Sequence, residues 1–66
     1  MTVTVEARKG DGFLLMSKEL AIEKAHEWIW DTHLGYVNTG WTVSVYDTYR
    51  ITLLKDGSRT DLRIIR

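Results

Sequence analysis

The nearest thing to a chemical motif in this chain is His26-Glu27-Trp28-Ile29-Trp30, which opens like the helix of a zinc protease. That motif needs a second histidine one helical turn after the first, so that two imidazoles close on one ion. Trp30 stands in that place. His33 is the next histidine, about 10 Å further along a helix axis than His26 and too far to share an ion with it. The two histidines read as boundary residues flanking a core face, and no metal is expected.

Nucleophilic catalysis needs an activated Ser, Cys or Lys beside a base. Ser17 reads as a helix cap, Ser44 as mid-strand and Ser58 as a turn residue, and none neighbours a histidine in the expected layout. Carboxylates on an open helix face lack the apolar pocket that raises the pKa of a general acid. Gly10-Asp11-Gly12 lacks the spacing and the Lys-Ser/Thr of a phosphate loop and reads as a hairpin turn. No enzymatic activity and no cofactor are expected.

Two charged clusters remain. Glu19, Glu23, Glu27 and Asp31 recur at every fourth position, which stacks them along one stripe of an expected helix. Like charges at this spacing cost a few tenths of a kcal/mol per pair, so the ladder costs roughly 1 kcal/mol if nothing uses it. Trp30 lies in the same stripe, and soluble helices rarely leave an indole on the wet side without use. Three readings fit it: packing under the loop at 36–40, a homodimer interface, or contact with another protein. On the binding readings Trp30 is the anchor, Glu23, Glu27 and Asp31 attract Arg or Lys, and His26 and His33 sit at the rim.

The second cluster is basic. Arg50, Arg59 and Arg63 fall on the outer face of an expected C-terminal hairpin, with Arg50 directly opposite Arg63. Like charges across a strand pair are unfavourable unless neutralised, and phosphate is one candidate neutraliser. Tyr46 is the stacking aromatic expected on that outer side. Nucleic-acid binding through this hairpin is the second functional expectation.

Length and composition set the frame that must hold these clusters. Sixty-six residues make one domain, 1–66, near the lower limit for a chain that folds on its own core. The chain has no cysteine, which removes disulfides and fits a reducing compartment such as the cytoplasm. No secretory signal or membrane span is read, since Phe13-Leu14-Leu15-Met16 is the longest strongly apolar run. Net charge is zero, but residues 17–34 set two lysines against four carboxylates, a net of −2. Residues 48–66 set five basic side chains against two acidic ones, a net of +3. A small core, an unshielded Trp and opposite electrostatic faces together suggest a homodimer.

The elements follow from periodicity. Val3, Val5 and Ala7 alternate with Thr4, Glu6 and Arg8 in a half-buried strand, and Phe13 to Met16 returns as a second. Ser17 is the expected N-cap of a helix running to about Leu34, with Gly35 taking the left-handed position that ends it. Ala21, Ile22, Ala25, Trp28, Ile29 and Thr32 form its core face. Trp41, Val43 and Val45 face inward on a third strand. Asp56-Gly57 between alternating runs predicts a type I′ hairpin with Lys55 opposite Ser58 and Ile51 opposite Leu62.

The order ββαβββ is an α+β fold, one helix on an antiparallel sheet. The functional expectation is a small protein-interaction module, such as an inhibitor of the kind phages and mobile elements encode. It would bind a basic, nucleic-acid-binding protein surface through the acidic, Trp-bearing helix face.

Overall fold

A computed structural model describes residues 1–66. The strands are β1 (Thr2–Lys9), β2 (Leu14–Ala21), β3 (Thr42–Tyr46), β4 (Arg50–Lys55) and β5 (Ser58–Ile65), with helix α1 (Ile22–Asn38) between β2 and β3. They form one antiparallel sheet of order β2-β1-β5-β4-β3, and the helix lies across one face. The α+β class and the order ββαβββ are as read from the sequence.

The first hairpin turns where expected, with Gly12 at φ +93° and the Lys9 N–H donating to the Phe13 carbonyl at 2.9 Å. Its return strand is longer than the apolar run predicts. Residues 17–21 continue β2, pairing from Glu6↔Ser17 to Thr2↔Ala21, instead of opening the helix. Five more ladder positions for the first half of β1 outweigh one capping bond from Ser17. The helix starts after Ala21, which makes no side-chain cap, and the Ile22 N–H is satisfied by the Met1 carbonyl at 3.1 Å.

The far end also shifts. Gly35 is an ordinary helical residue, and the left-handed conformation falls at Gly40, φ +99°. The extra turn is held because Tyr36 packs edge-on against Trp41, ring centres 5.3 Å apart. The Thr39 and Gly40 N–H groups then close the last turn on the Tyr36 and Val37 carbonyls.

Between these ends the helix phase is as expected. Ala25 and Ile29 are buried, and Ile22 and Trp28 pack partly buried against the sheet core of Val3, Val5, Ala7, Ile51, Leu53, Leu62 and Ile64. The C-terminal hairpin matches its expectation in turn and register. Asp56 and Gly57 have φ +51° and +80°, and Lys55↔Ser58, Ile51↔Leu62 and Arg50↔Arg63 pair across it.

The third strand departs from simple alternation. Val43 pairs with Leu53 but Val45 with Thr52, so Ser44 is the extra residue of a β-bulge. The bulge advances the pleat by one. Val45 goes to the outer face beside Thr52, and Tyr46, opposite buried Ile51, goes to the helix side.

Candidate interaction surfaces

The aromatic groups gather on one flank of the helix because of that bulge. Trp30 is 47% exposed, yet its ring is not loose. It lies 4.6 Å from the His33 ring and meets Tyr46 edge-on at 6.0 Å. His33 is buried, with Nδ1 2.6 Å from the Trp30 carbonyl oxygen. A carbonyl only accepts, so Nδ1 carries the proton and the imidazole is fixed against the helix. His33 supports the indole from beneath and is not at an exposed rim, because position 33 continues the buried line of Ala25 and Ile29.

His26 is half-buried one turn before Trp30, its ring 5.6 Å from that of Tyr49. His26, Trp30, Tyr46 and the 47–48 turn line a small cleft of about 240 Å³ floored by Ile29 and Ile51. Leu34 and Val37 follow Trp30 at helical spacing, each 39% exposed, and extend an apolar stripe towards the helix C-terminus. Tyr46 and Tyr49 belong to this surface, whereas the sequence places Tyr46 on the outer face and gives Tyr49 no functional role. Strict alternation sends Tyr46 to the outer face, and only the bulge brings it round.

The acidic stripe is shorter than the sequence predicts. Glu19 lies on β2, opposite Thr4, so the helix carries Glu23, Glu27 and Asp31. All are exposed, and Glu27 makes one surface pair with Lys24 at 3.2 Å. By helical rotation Glu23 and Glu27 adjoin Trp30, while Asp31 lies further round.

The opposite face of the sheet has no second layer. Pairing places Glu6 opposite Arg63, Arg8 opposite Asp61 and Arg50 opposite Arg63 on it. Arg50, Arg59 and Arg63 do converge, lining one shallow groove of about 420 Å³ with Thr52 and Asp61. Of the three, Arg59 is ion-paired, and carboxylates are interleaved among them. Glu6 is buried and paired with Arg8 at 3.0 Å. Asp61, also buried, takes the Thr52 hydroxyl at 2.7 Å and Arg59 Nε at 3.3 Å. Four arginines and three carboxylates (Glu6, Glu19, Asp61) thus alternate over this face. Glu6 lies across from Arg63 on the neighbouring strand, but its carboxylate pairs with Arg8, and neither Arg50 nor Arg63 has an ion-pair partner. Arg63 Nε is buried without a hydrogen-bond partner. Tyr46 is not on this face to stack a base, which corrects the sequence expectation.

No helix is long and apolar enough to cross a membrane. Comparison with protein-family models, with curated proteins and with solved structures finds no match.

Proposed function

We propose that this protein is a small non-enzymatic interaction module that binds a basic surface of another protein through the exposed flank of its helix. The observation that carries the reading is Trp30, an indole left half-exposed yet held by a buried histidine and an edge-on tyrosine. A pre-positioned aromatic loses little side-chain entropy on binding, which is why Trp and Tyr dominate interface hot spots. Glu23 and Glu27 beside the anchor, with Asp31 further round, set negative charge along one side of it, steering and pairing with Arg or Lys. Carboxylates about 6 Å apart along a helix are spaced much like successive phosphates. An inhibitor that occupies a nucleic-acid-binding surface is the activity such a flank suits.

The second reading, phosphate binding by Arg50, Arg59 and Arg63, is favoured by their convergence on one groove and by the unpartnered Arg63 Nε. The interleaved Glu6 and Asp61 weigh against it. Affinity capture from lysate with wild-type and Trp30→Ala baits, identified by mass spectrometry, separates the two. The first reading expects a basic protein retained by the wild type and lost with Trp30→Ala and with Glu23→Lys/Glu27→Lys. Retention by both helix variants and loss with Arg50→Gln/Arg59→Gln, falling steeply with salt, would favour phosphate binding.

A further inference from the structure

We infer that the partner is engaged by strand addition: an extended segment with alternating apolar and basic residues pairs with the free edge of β3 and lays its apolar side chains against the helix flank. This rests on the proposed protein-binding function and names the kind of partner segment it takes.

The sheet has two edges, β2 and β3, and an unpaired edge offers backbone N–H and C=O groups to another chain. The two edges are not equally open. In β2, Lys18 pairs with buried Val5 and therefore sits on the helix side, an inward-pointing charge of the kind that blocks edge pairing. In β3, Thr-Val-Ser-Val-Tyr, no residue is charged and none is proline.

The two-residue turn at Asp56-Gly57 fixes which β3 groups are free. Lys55 and Ser58 exchange hydrogen bonds across the turn, so Leu53 and Ile51 also point to β5, and Leu54 and Thr52 point to β3. Val43 and Tyr46, opposite Leu53 and Ile51, must direct their own backbone groups away from β4, to the open edge. Both carry side chains on the helix side. Trp30 stands beside that edge through its edge-on contact with Tyr46, Leu34 and Val37 continue its exposed helical stripe, and the helix makes few contacts with β3 itself. A strand added here has a backbone ladder on one side and an apolar wall over every second side chain, the two elements of strand-addition recognition.

Charge selects the occupant. Glu23 and Glu27 adjoin Trp30 and Asp47 lines the same cleft, all exposed, and with Lys24 answering Glu27 the corner stays net negative. A second copy paired about a two-fold axis would keep both helices on the same side of the joined sheet and bring two acidic flanks together. A basic segment is attracted where a second copy is repelled.

The test is a titration of isotope-labelled protein with a synthetic nine-residue peptide alternating valine and lysine, and with a valine–glutamate control, read by amide hydrogen exchange and chemical shift. The lysine peptide is expected to slow exchange of the Val43 and Tyr46 amides at least about tenfold, and the glutamate peptide to leave them unchanged. Tyr46→Lys, which puts on β3 the guard that β2 already has, is expected to abolish the protection. Shifts at Glu23, Glu27 and Trp30 without protection of Val43 and Tyr46 would overturn strand addition and leave the helix-flank reading standing. Protection that survives both Trp30→Ala and Glu23→Lys/Glu27→Lys would sink the helix-flank reading and overturn the inference's use of the flank, leaving bare edge pairing. Protection of β2 amides instead, absence of binding at millimolar peptide, or protection that grows with protein concentration alone would each overturn the inference, the last by making a second copy the occupant.

Discussion

Removing the Asp61 carboxylate tests whether the outer sheet face is a closed polar network or an open cationic surface. In Asp61→Ala, the Thr52 hydroxyl loses its 2.7 Å acceptor while itself lying in a buried residue. Losing a buried hydrogen bond to a charged group costs about 1.5–3 kcal/mol. The Arg59 pair adds little, because Arg59 is half-exposed and such pairs are worth about 0–1 kcal/mol. The expected loss is therefore about 1.5–4 kcal/mol, a large share of the roughly 3–10 kcal/mol total expected of so short a chain. In thermal terms that is a fall in Tm of about 10–25 °C. Asp61→Asn keeps an acceptor for Thr52 and should cost clearly less. Urea denaturation followed by circular dichroism measures both, and a double-mutant cycle with Thr52→Val should return a coupling of about 1 kcal/mol or more. An Asp61→Ala variant within about 0.5 kcal/mol of wild type, the usual range of featureless surface changes, would refute the network. The same variants speak to function. Asp61→Asn makes the face one charge more positive, so phosphate binding would tighten on single-stranded oligonucleotides, whereas the helix-flank reading expects no binding by either protein.

Trp28→Ala should destabilise the domain by about 2–4 kcal/mol and Trp30→Ala by about half that, since only Trp28 packs on the sheet core; chemical denaturation giving the reverse ranking would refute this packing. Glu23→Lys/Glu27→Lys should cost no more than about 1 kcal/mol, because turning the Glu27–Asp31 repulsion into an attraction offsets most of the lost Lys24–Glu27 pair and of Glu23's favourable place in the first turn; a Tm drop of more than about 10 °C would contradict that. Arg63→Glu should be strongly destabilising, because it sets a second carboxylate opposite buried Glu6, and a neutral result in the same assay would show that Glu6 and Arg63 do not interact. Gly57→Val forces a β-branched residue to φ +80° and should cost at least about 1 kcal/mol, with loss of the Lys55–Ser58 contact by NMR.

What the sequence made legible was local. The C-terminal hairpin was readable to the residue because turn chemistry and hydrophobic alternation are independent signals, and both demand Ile51 opposite Leu62. The helix phase was readable for the same kind of reason, its apolar positions repeating at one period. The errors all came from tertiary choices. Ser17 is a good cap in isolation, but as part of β2 it completes the ladder to β1, and no local rule weighs those alternatives. The helix end moved because Tyr36 found Trp41. Tyr46 changed faces because Ser44 bulges, and nothing in Thr-Val-Ser-Val-Tyr marks the serine as an extra residue.

That single bulge links the fold to the candidate site. Without it Tyr46 would sit among the arginines of the outer face, where an exposed aromatic strengthens a nucleic-acid reading. With it, Tyr46 braces Trp30 and turns its own backbone to the open edge of β3. The two surfaces are thereby driven apart in chemistry. The outer face interleaves its charges, Glu6 with Arg8 and Asp61 with Arg59, while the helix flank keeps exposed apolar groups beside carboxylates of which only Glu27 has a basic partner. Binding energy comes from groups that gain a partner on association, and groups already paired gain little. Trp30, Leu34, Val37 and the free edge beside Tyr46 would each gain a partner on association, which is the physical reason for proposing this flank as the binding surface.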